Sequence, residues 1–256
     1  MQYKPMAIFP ELINGLFTGN TKQIRTLCEP ANIANLSYIE EIDSNKFDDE
    51  EGYLTFESPY QVGDKVWLQE EFKVGAWRHD GRIAIDYLAS PEIRLTPWLS
   101  PLNNADRDII YLWQNETLID VMDSDLTSDE HGDFYWQPGK APTRIRPAIT
   151  MPMFVSRIWF EITDVRVEKL HEMTVTDALN SGITPQFYNQ SVRGYKNFQL
   201  QDRANDEATC FRSPIKSYAS LWNKRIASNT PSLAWESDNN LWIWVYEIQR
   251  INSPFN

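Results

Sequence analysis

Two blocks of alternating apolar residues mark this chain, one past its middle and one at its end. Ile158, Phe160 and Ile162 fall on one strand face. Val165 and Val167 take the opposite parity, and a bulge near Thr163-Asp164 would return them to the same side. The closing segment sets Trp242, Trp244, Tyr246 and Ile248 against Ile243, Val245, Glu247 and Gln249. Both faces are apolar at its start, which predicts a strand central in its sheet. Tyr60-Gln61-Val62-Gly63-Asp64 reads as a turn into a strand over 65–72, and Arg82 to Tyr87 alternates again.

Helical spacing appears in three places. Phe9 to Thr18 pairs Leu12 with Leu16 and Ile13 with Phe17, and Gly19 stands at the cap position. The chain leaves that helix through Thr21-Lys22-Gln23-Ile24-Arg25, and Pro30 closes the segment. Thr174 with Asp177 forms an N-terminal capping signal for a short helix ending at Gly182. Ser213-Pro214 starts another helix, with Ile215, Tyr218, Ala219, Trp222 and Ile226 as its apolar stripe. The remaining stretches read as insertions at about 31–58, 73–139 and 184–212 within one domain over 1–256, the acidic part 40–51 as an exposed loop.

Of the 256 residues, 42% are hydrophobic and 13% aromatic, which supports a sizeable core and excludes a disordered chain. No run of about 18 apolar residues occurs, so no membrane partner is expected. The N-terminus lacks the layout of a signal peptide, and a cytoplasmic location is expected. Cys28 and Cys210 read as reduced thiols. The net charge of −12 is local. Residues 40–51 carry seven acids against Lys46, and residues 116–133 carry seven acids with no Lys or Arg. The rest of the chain is close to neutral, with basic excess over 140–169 and 193–225.

The order of several short motifs resembles the ASCH family, a branch of the PUA-like proteins, in its long phage and prophage form. The residues that carry the resemblance are Gly63-Asp64, Arg146-Pro147, Met151-Pro152, Ser156-Arg157-Ile158, Val165-Arg166-Val167-Glu168, Asp177-Ala178, Gly182-Ile183, Leu221-Trp222 and Trp242-Ile243-Trp244-Val245. The resemblance implies an α+β fold: a small mixed β-barrel with packed helices and a cleft beside the first helix. It also implies binding of RNA or nucleobases. Some short members hydrolyse the acetyl amide of an acetylated cytidine with a Lys, a Thr and a Glu. Those three positions align with Thr21, Ile24 and Ser181 here. A shift of one residue puts Lys22 on the Lys but Arg25 on the Thr. Ala148 and Thr150 replace a Ser and a His of the family pattern, and Gln69 replaces the Arg before Glu70. The polar site positions have changed while the apolar framework is kept, so loss or replacement of the family's activity is expected.

The ligand-binding candidates are therefore Lys22, Gln23, Arg25, Arg146, Thr150 and Arg157. Arg25, Arg146 and Arg157 suit phosphate or base-edge contacts. The alternative for Arg146 and Arg157 is pairing with nearby acids that holds the fold together. For catalysis the candidates are Lys22 with Glu70 or Glu71, since a Lys–carboxylate pair in a pocket can activate a nucleophile and shuttle a proton. Trp77, Trp98 and Tyr135-Trp136 are candidates for base stacking, whereas Trp159, Trp242 and Trp244 read as core. His79, His131 and His171 are scattered, and Asp123-Ser124-Asp125 with Asp129 and Glu130 lacks calcium-loop spacing. No metal or cofactor is expected. Three functions stay open: a non-catalytic binder of nucleic acid, nucleotide or modified base; a hydrolase acting on acylated cytidine or RNA; and an acidic protein that engages a basic host protein or imitates nucleic acid.

Overall fold

The computed structural model describes residues 3–29, 36–43, 46–90, 98–122, 128–188, 190–200, 210–238 and 240–255. In chain order these residues form β1 (Tyr3–Ala7), α1 (Ile13–Phe17), β2 (Gln23–Leu27), β3 (Ile39–Asp43), β4 (Lys46–Asp49), β5 (Thr55–Glu57), β6 (Lys65–Gln69), β7 (Phe72–Trp77) and β8 (Ile83–Tyr87). There follow α2 (Asn104–Val121), β9 (Phe134–Tyr135), β10 (Trp159–Lys169), α3 (Val175–Asn180), β11 (Pro185–Tyr188), β12 (Ser191–Tyr195), α4 (Pro214–Arg225) and β13 (Trp242–Ile251). The fold class is α+β. The chain separates into two compact units, one of Gly15–Lys65 with Phe160–Arg250, the other of Tyr3–Asn14, Val66–Trp159 and Ile251–Asn256.

In the first unit β13 lies between β10 and β2. It pairs antiparallel with β2, Gln23 opposite Glu247 and Arg25 opposite Val245. The apolar start of β13 is buried on both faces (Ile243, Trp244, Val245, Tyr246), as a central strand requires. Phe47 packs edge-on against Trp244 at 4.9 Å between ring centres, and Phe56 joins them at 6.0 Å. These contacts anchor an antiparallel sheet in the order β3-β4-β5. The described acidic residues thus lie largely on two paired strands, β3 and β4, rather than on a loop. Charge misleads there, because only Ile39 and Phe47 turn inward while Glu40, Glu41 and Asp43 stay in water. The helix signals are met: Thr174 and Asp177 cap α3 reciprocally, and Ser213 caps α4 with Pro214 in its first turn. β11 and β12 pair antiparallel. Residues 201–209 lie outside the described residues.

In the second unit β7 runs antiparallel to both β8 and β9. Described residues of the stretch 73–139 belong to this unit's core, since Val74, Ile83, Ile85, Ile110 and Trp113 pack with Trp67, Phe72, Phe154 and Trp159; 91–97 and 123–127 lie outside the described residues. The barrel expected from the family resemblance is not closed. Among the described residues every strand order is linear, and the strands are divided among four sheets rather than pooled in one.

Candidate functional site

The loop that follows α1 is drawn tight. Gly19 takes φ 75°, a left-handed turn that favours glycine. The amides of Asn20 and Thr21 both donate to the Gly15 carbonyl, at 2.8 and 3.0 Å. Lys22 is then held through its backbone: its amide donates to Asn180 at 2.8 Å, and its carbonyl accepts from Ile248 at 2.9 Å. Its side chain is exposed. At the next residue the chain enters β2, with the side chains of Gln23 and Arg25 turned inward.

Gln23 and Arg25 sit in a polar cluster assembled from four elements of the first unit. The Arg25 side chain is 0% exposed, and its Nη2 lies 2.9 Å from Glu168 and 3.2 Å from Asp177. Its Nε donates to Gln23 Oε1 at 2.7 Å. Gln23 Nε2 donates to Glu247 at 2.8 Å and more weakly to Asp177. Arg166 closes the ring, donating to Glu168 at 2.5 Å and to Glu247 at 2.9 Å. Two guanidiniums thus face four carboxylates, the fourth being Asp164 at 3.2 Å from Arg166 on the exposed side. Asp177 also accepts from the Thr174 hydroxyl and amide. Burial pushes its carboxyl up, but the Thr174 bonds, Arg25 and Gln23 outweigh that and hold it below the usual range.

Three polar atoms of this region stand out. Arg25 Nη1, Arg25 Nη2 and Thr21 Oγ1 are buried with no hydrogen-bond partner among the described residues, although Nη2 lies within ion-pair distance of Glu168 and Asp177. Such groups are uncommon in folded proteins, because each forfeits its hydration. Thr21 and Ile24 are both buried, at the positions that align with the hydrolytic Lys and Thr. Ser181, at the Glu position, donates only a long 3.4 Å bond to Gln23. Asp177, one helical turn earlier on the same face, is the carboxylate that enters the cluster.

The other candidates belong to the second unit and are engaged there. Arg157 grips Glu70 with two bonds of 2.8 Å and lies 4.2 Å over the Tyr87 ring. Burial raises the Glu70 carboxyl, against the downward pull of Arg157. Arg146 reaches Glu116 at 2.6 Å and covers the Trp113 ring at 5.0 Å. Both arginines therefore have the geometry of fold-holding ion pairs. Thr150 is exposed and donates back to Pro147 at 2.7 Å. Glu71 is exposed. Gln69 donates to the carbonyls of Ile149 and Met151.

Of the stacking candidates, Trp77 stacks on Phe134 at 5.1 Å and Phe134 on Trp136 at 5.7 Å, while Arg78 covers Trp98 at 4.7 Å. Trp159 and Trp244 are core, and Trp242 is half-buried. Reasoning from sequence named Gln23 and Arg25 as candidates but not the residues they meet in the cluster, Arg166, Glu168, Asp177 and Glu247. The first two were visible only as part of a strand, Asp177 only as a cap, and Glu247 only as the polar interruption of an apolar face.

No family model matches the chain, and neither a curated protein nor a solved structure matches it significantly.

Proposed function

We propose that the chain is a PUA-like protein of the ASCH type that binds a nucleobase-bearing ligand without chemistry on it. The ligand class is a nucleotide, a modified base or a single-stranded nucleic acid, met in the host cytoplasm. One observation carries the reading. The strand that follows the first helix buries Arg25 whole, with Nη1 lacking an acceptor among the described residues, inside a ring of amide, guanidinium and carboxylate groups. A base edge offers carbonyl and ring-nitrogen acceptors beside amino donors, which is the complement of such a ring. Exposed Lys22 lies next in sequence to Gln23 and suits a phosphate. Catalysis is disfavoured, because Thr21, Ile24 and Ser181 hold no Lys–carboxylate pair and both oxygens of Glu70 are taken by Arg157.

The test is thermal stabilisation by nucleosides, modified nucleosides, nucleotides and short RNA or DNA, with mass spectrometry of whatever co-purifies. A ligand at 100 times its Kd adds about 2.7 kcal/mol. Stabilisation that disappears in Arg25→Met supports the reading. A protein that none of these ligands shifts overturns it.

A second reading rests on the first acidic stretch. Glu40, Glu41, Asp43, Glu50 and Glu51 are exposed, whereas Glu116, Asp120 and Asp133 in the other stretch bind Arg144, Arg146, Arg78 and His79 of their own unit. Asp123 and Asp125 lie outside the described residues. The exposed stretch is the better candidate to engage a basic protein. Capture of a basic partner that survives neutralisation of Glu40, Glu41 and Asp43 would count against it. No helix among the described residues is long and apolar enough to cross a membrane.

A further inference from the structure

The helix α2 carries two apolar stripes on opposite sides. Ile110, Trp113, Thr117 and Val121 are buried in the core of the second unit. About half a turn away, Tyr111, Leu112, Leu118, Ile119 and Met122 are 67, 54, 41, 61 and 79% exposed. We propose that this outer stripe is the contact between two copies of the chain, packed as an antiparallel helix pair about a two-fold axis at Asn115.

The stripe is symmetric about Asn115 in a way that suits a two-fold contact. Leu112 and Leu118 stand three positions to either side of it, and Tyr111 and Ile119 stand four. In an antiparallel crossing centred on Asn115, Leu112 of one copy meets Leu118 of the other, and Tyr111 meets Ile119. The same patch then serves both copies, as an isologous contact demands. Asn115 is exposed at the centre of the stripe. On the axis its side-chain amide can both donate to and accept from Asn115 of the other copy, and a polar residue so placed fixes register.

Area and charge point the same way. The five exposed side chains offer roughly 500 Å² per copy, the upper range for an apolar patch on a monomer and the lower range for a weak dimer. Two of the acids beside the stripe, Glu116 and Asp120, are compensated within the chain, while exposed Asp108 would stand opposite Met122 of the other copy, at the end of the contact. Arg144 lies 2.7 Å from Asp120 and 3.5 Å from Glu116, and Arg146 lies 2.6 Å from Glu116. A lipid surface is the poorer occupant, since the helix bears one basic residue, Arg107, against four acids.

Sedimentation equilibrium of the full chain decides between these. A reversible dimer with micromolar affinity is expected, as suits so small a contact. Leu118→Glu with Ile119→Glu should weaken it roughly 100-fold, with the melting temperature of the monomer unchanged. Should that variant misfold, Leu112→Lys with Met122→Lys tests the same stripe. In a Cys210→Ser background, Asn115→Cys should form a disulfide between copies under mild oxidation. Asp108→Cys should not, since about 20 Å would separate two such residues across the axis. A chain that stays monomeric at several hundred micromolar overturns the proposal (roughly the upper limit for a specific weak contact). So does a dimer that survives the stripe variants, or equal cross-linking at both positions.

Discussion

Glu70 and Arg157 meet through two parallel hydrogen bonds of 2.8 Å, with side chains only 1% and 4% exposed. A buried pair of this kind is poor evidence of net stabilisation, yet removal of one partner leaves a bare charge out of water. Arg157→Met is therefore expected to cost about 3–5 kcal/mol in urea unfolding. The double variant Glu70→Met, Arg157→Met should recover much of that loss. The sign of the pH dependence follows from burial, which raises the Glu70 carboxyl above its unfolded value. The folded state then holds the proton more tightly, so stability from this group falls as pH rises through the raised value. Without Arg157 to pull the carboxyl down, that window widens upward, and Arg157→Met should be relatively more stable at acid than at neutral pH. A single variant no less stable than the double, or one with an unchanged pH profile, would remove the pair from this role.

Gly15 and Thr21 give a cleaner test of packing under the proposed site. A Cβ at Gly15 would stand 2.3 Å from Thr21 Oγ1, an overlap that requires movement. Thr21 is buried and β-branched, so its hydroxyl has little freedom to swing away. Gly15→Ala should cost about 1–3 kcal/mol by overpacking. In a Thr21→Ala background the clash is gone and alanine's helix propensity is left, so the same change should be neutral or stabilising by up to about 1 kcal/mol. Thermal melts of the four proteins complete the cycle, and additivity would mean that the two side chains do not compete for space.

The features that reasoning from sequence captured are local ones. The Thr174–Asp177 cap, the Ser213-Pro214 start and the doubly apolar head of β13 each express within a few residues the force that forms them. The strand pair of β3 and β4 was hidden, because its acids mask the two inward side chains, Ile39 and Phe47, that pin its pairing. The site was half legible for the same reason. Gln23 and Arg25 stand in a recognisable loop-to-strand passage, but their partners Asp177 and Glu247 are 154 and 224 positions from Gln23. No spacing rule connects residues at that separation. The pairing of Arg146 with Glu116 and of Arg157 with Glu70 was equally invisible in detail, and only the general alternative of an acid partner could be stated.

Asp133 ties the β7–β8 turn to the approach to β9. It accepts from the His79 amide at 3.0 Å, meets His79 Nδ1 at 2.8 Å and accepts from Arg78 at 3.1 Å. The His79 bonds, with help from Arg78, hold its carboxyl at about 2. A depressed folded value means that the unfolded chain binds the proton first, so stability is present above the ordinary value of 3.8 and is lost as pH falls toward 2. Asp133→Asn should flatten the melting temperature of the second unit over that interval relative to the parent. An equally steep acid slope in the variant would assign the loss to other carboxylates.

Asp177 serves both helix and site, and two substitutions separate the roles. Thr174→Ala removes the hydroxyl that accepts from the Asp177 amide and donates to its carboxylate, and should cost about 1 kcal/mol as a lost cap. It leaves Asp177 charged beside Arg25 and should preserve ligand stabilisation. Asp177→Asn keeps a side-chain oxygen for the Thr174 amide but removes the charge that lies 3.2 Å from Arg25 Nη2. Its cost to helix stability should be smaller, because asparagine retains an acceptor, while the buried guanidinium loses compensation. The two variants should therefore diverge: thermal stabilisation by the nucleobase ligand should survive in Thr174→Ala and weaken in Asp177→Asn. If both lose stabilisation in proportion to their melting temperatures, Asp177 acts only through the cap, and the site must be sought on the Glu247 side of the cluster.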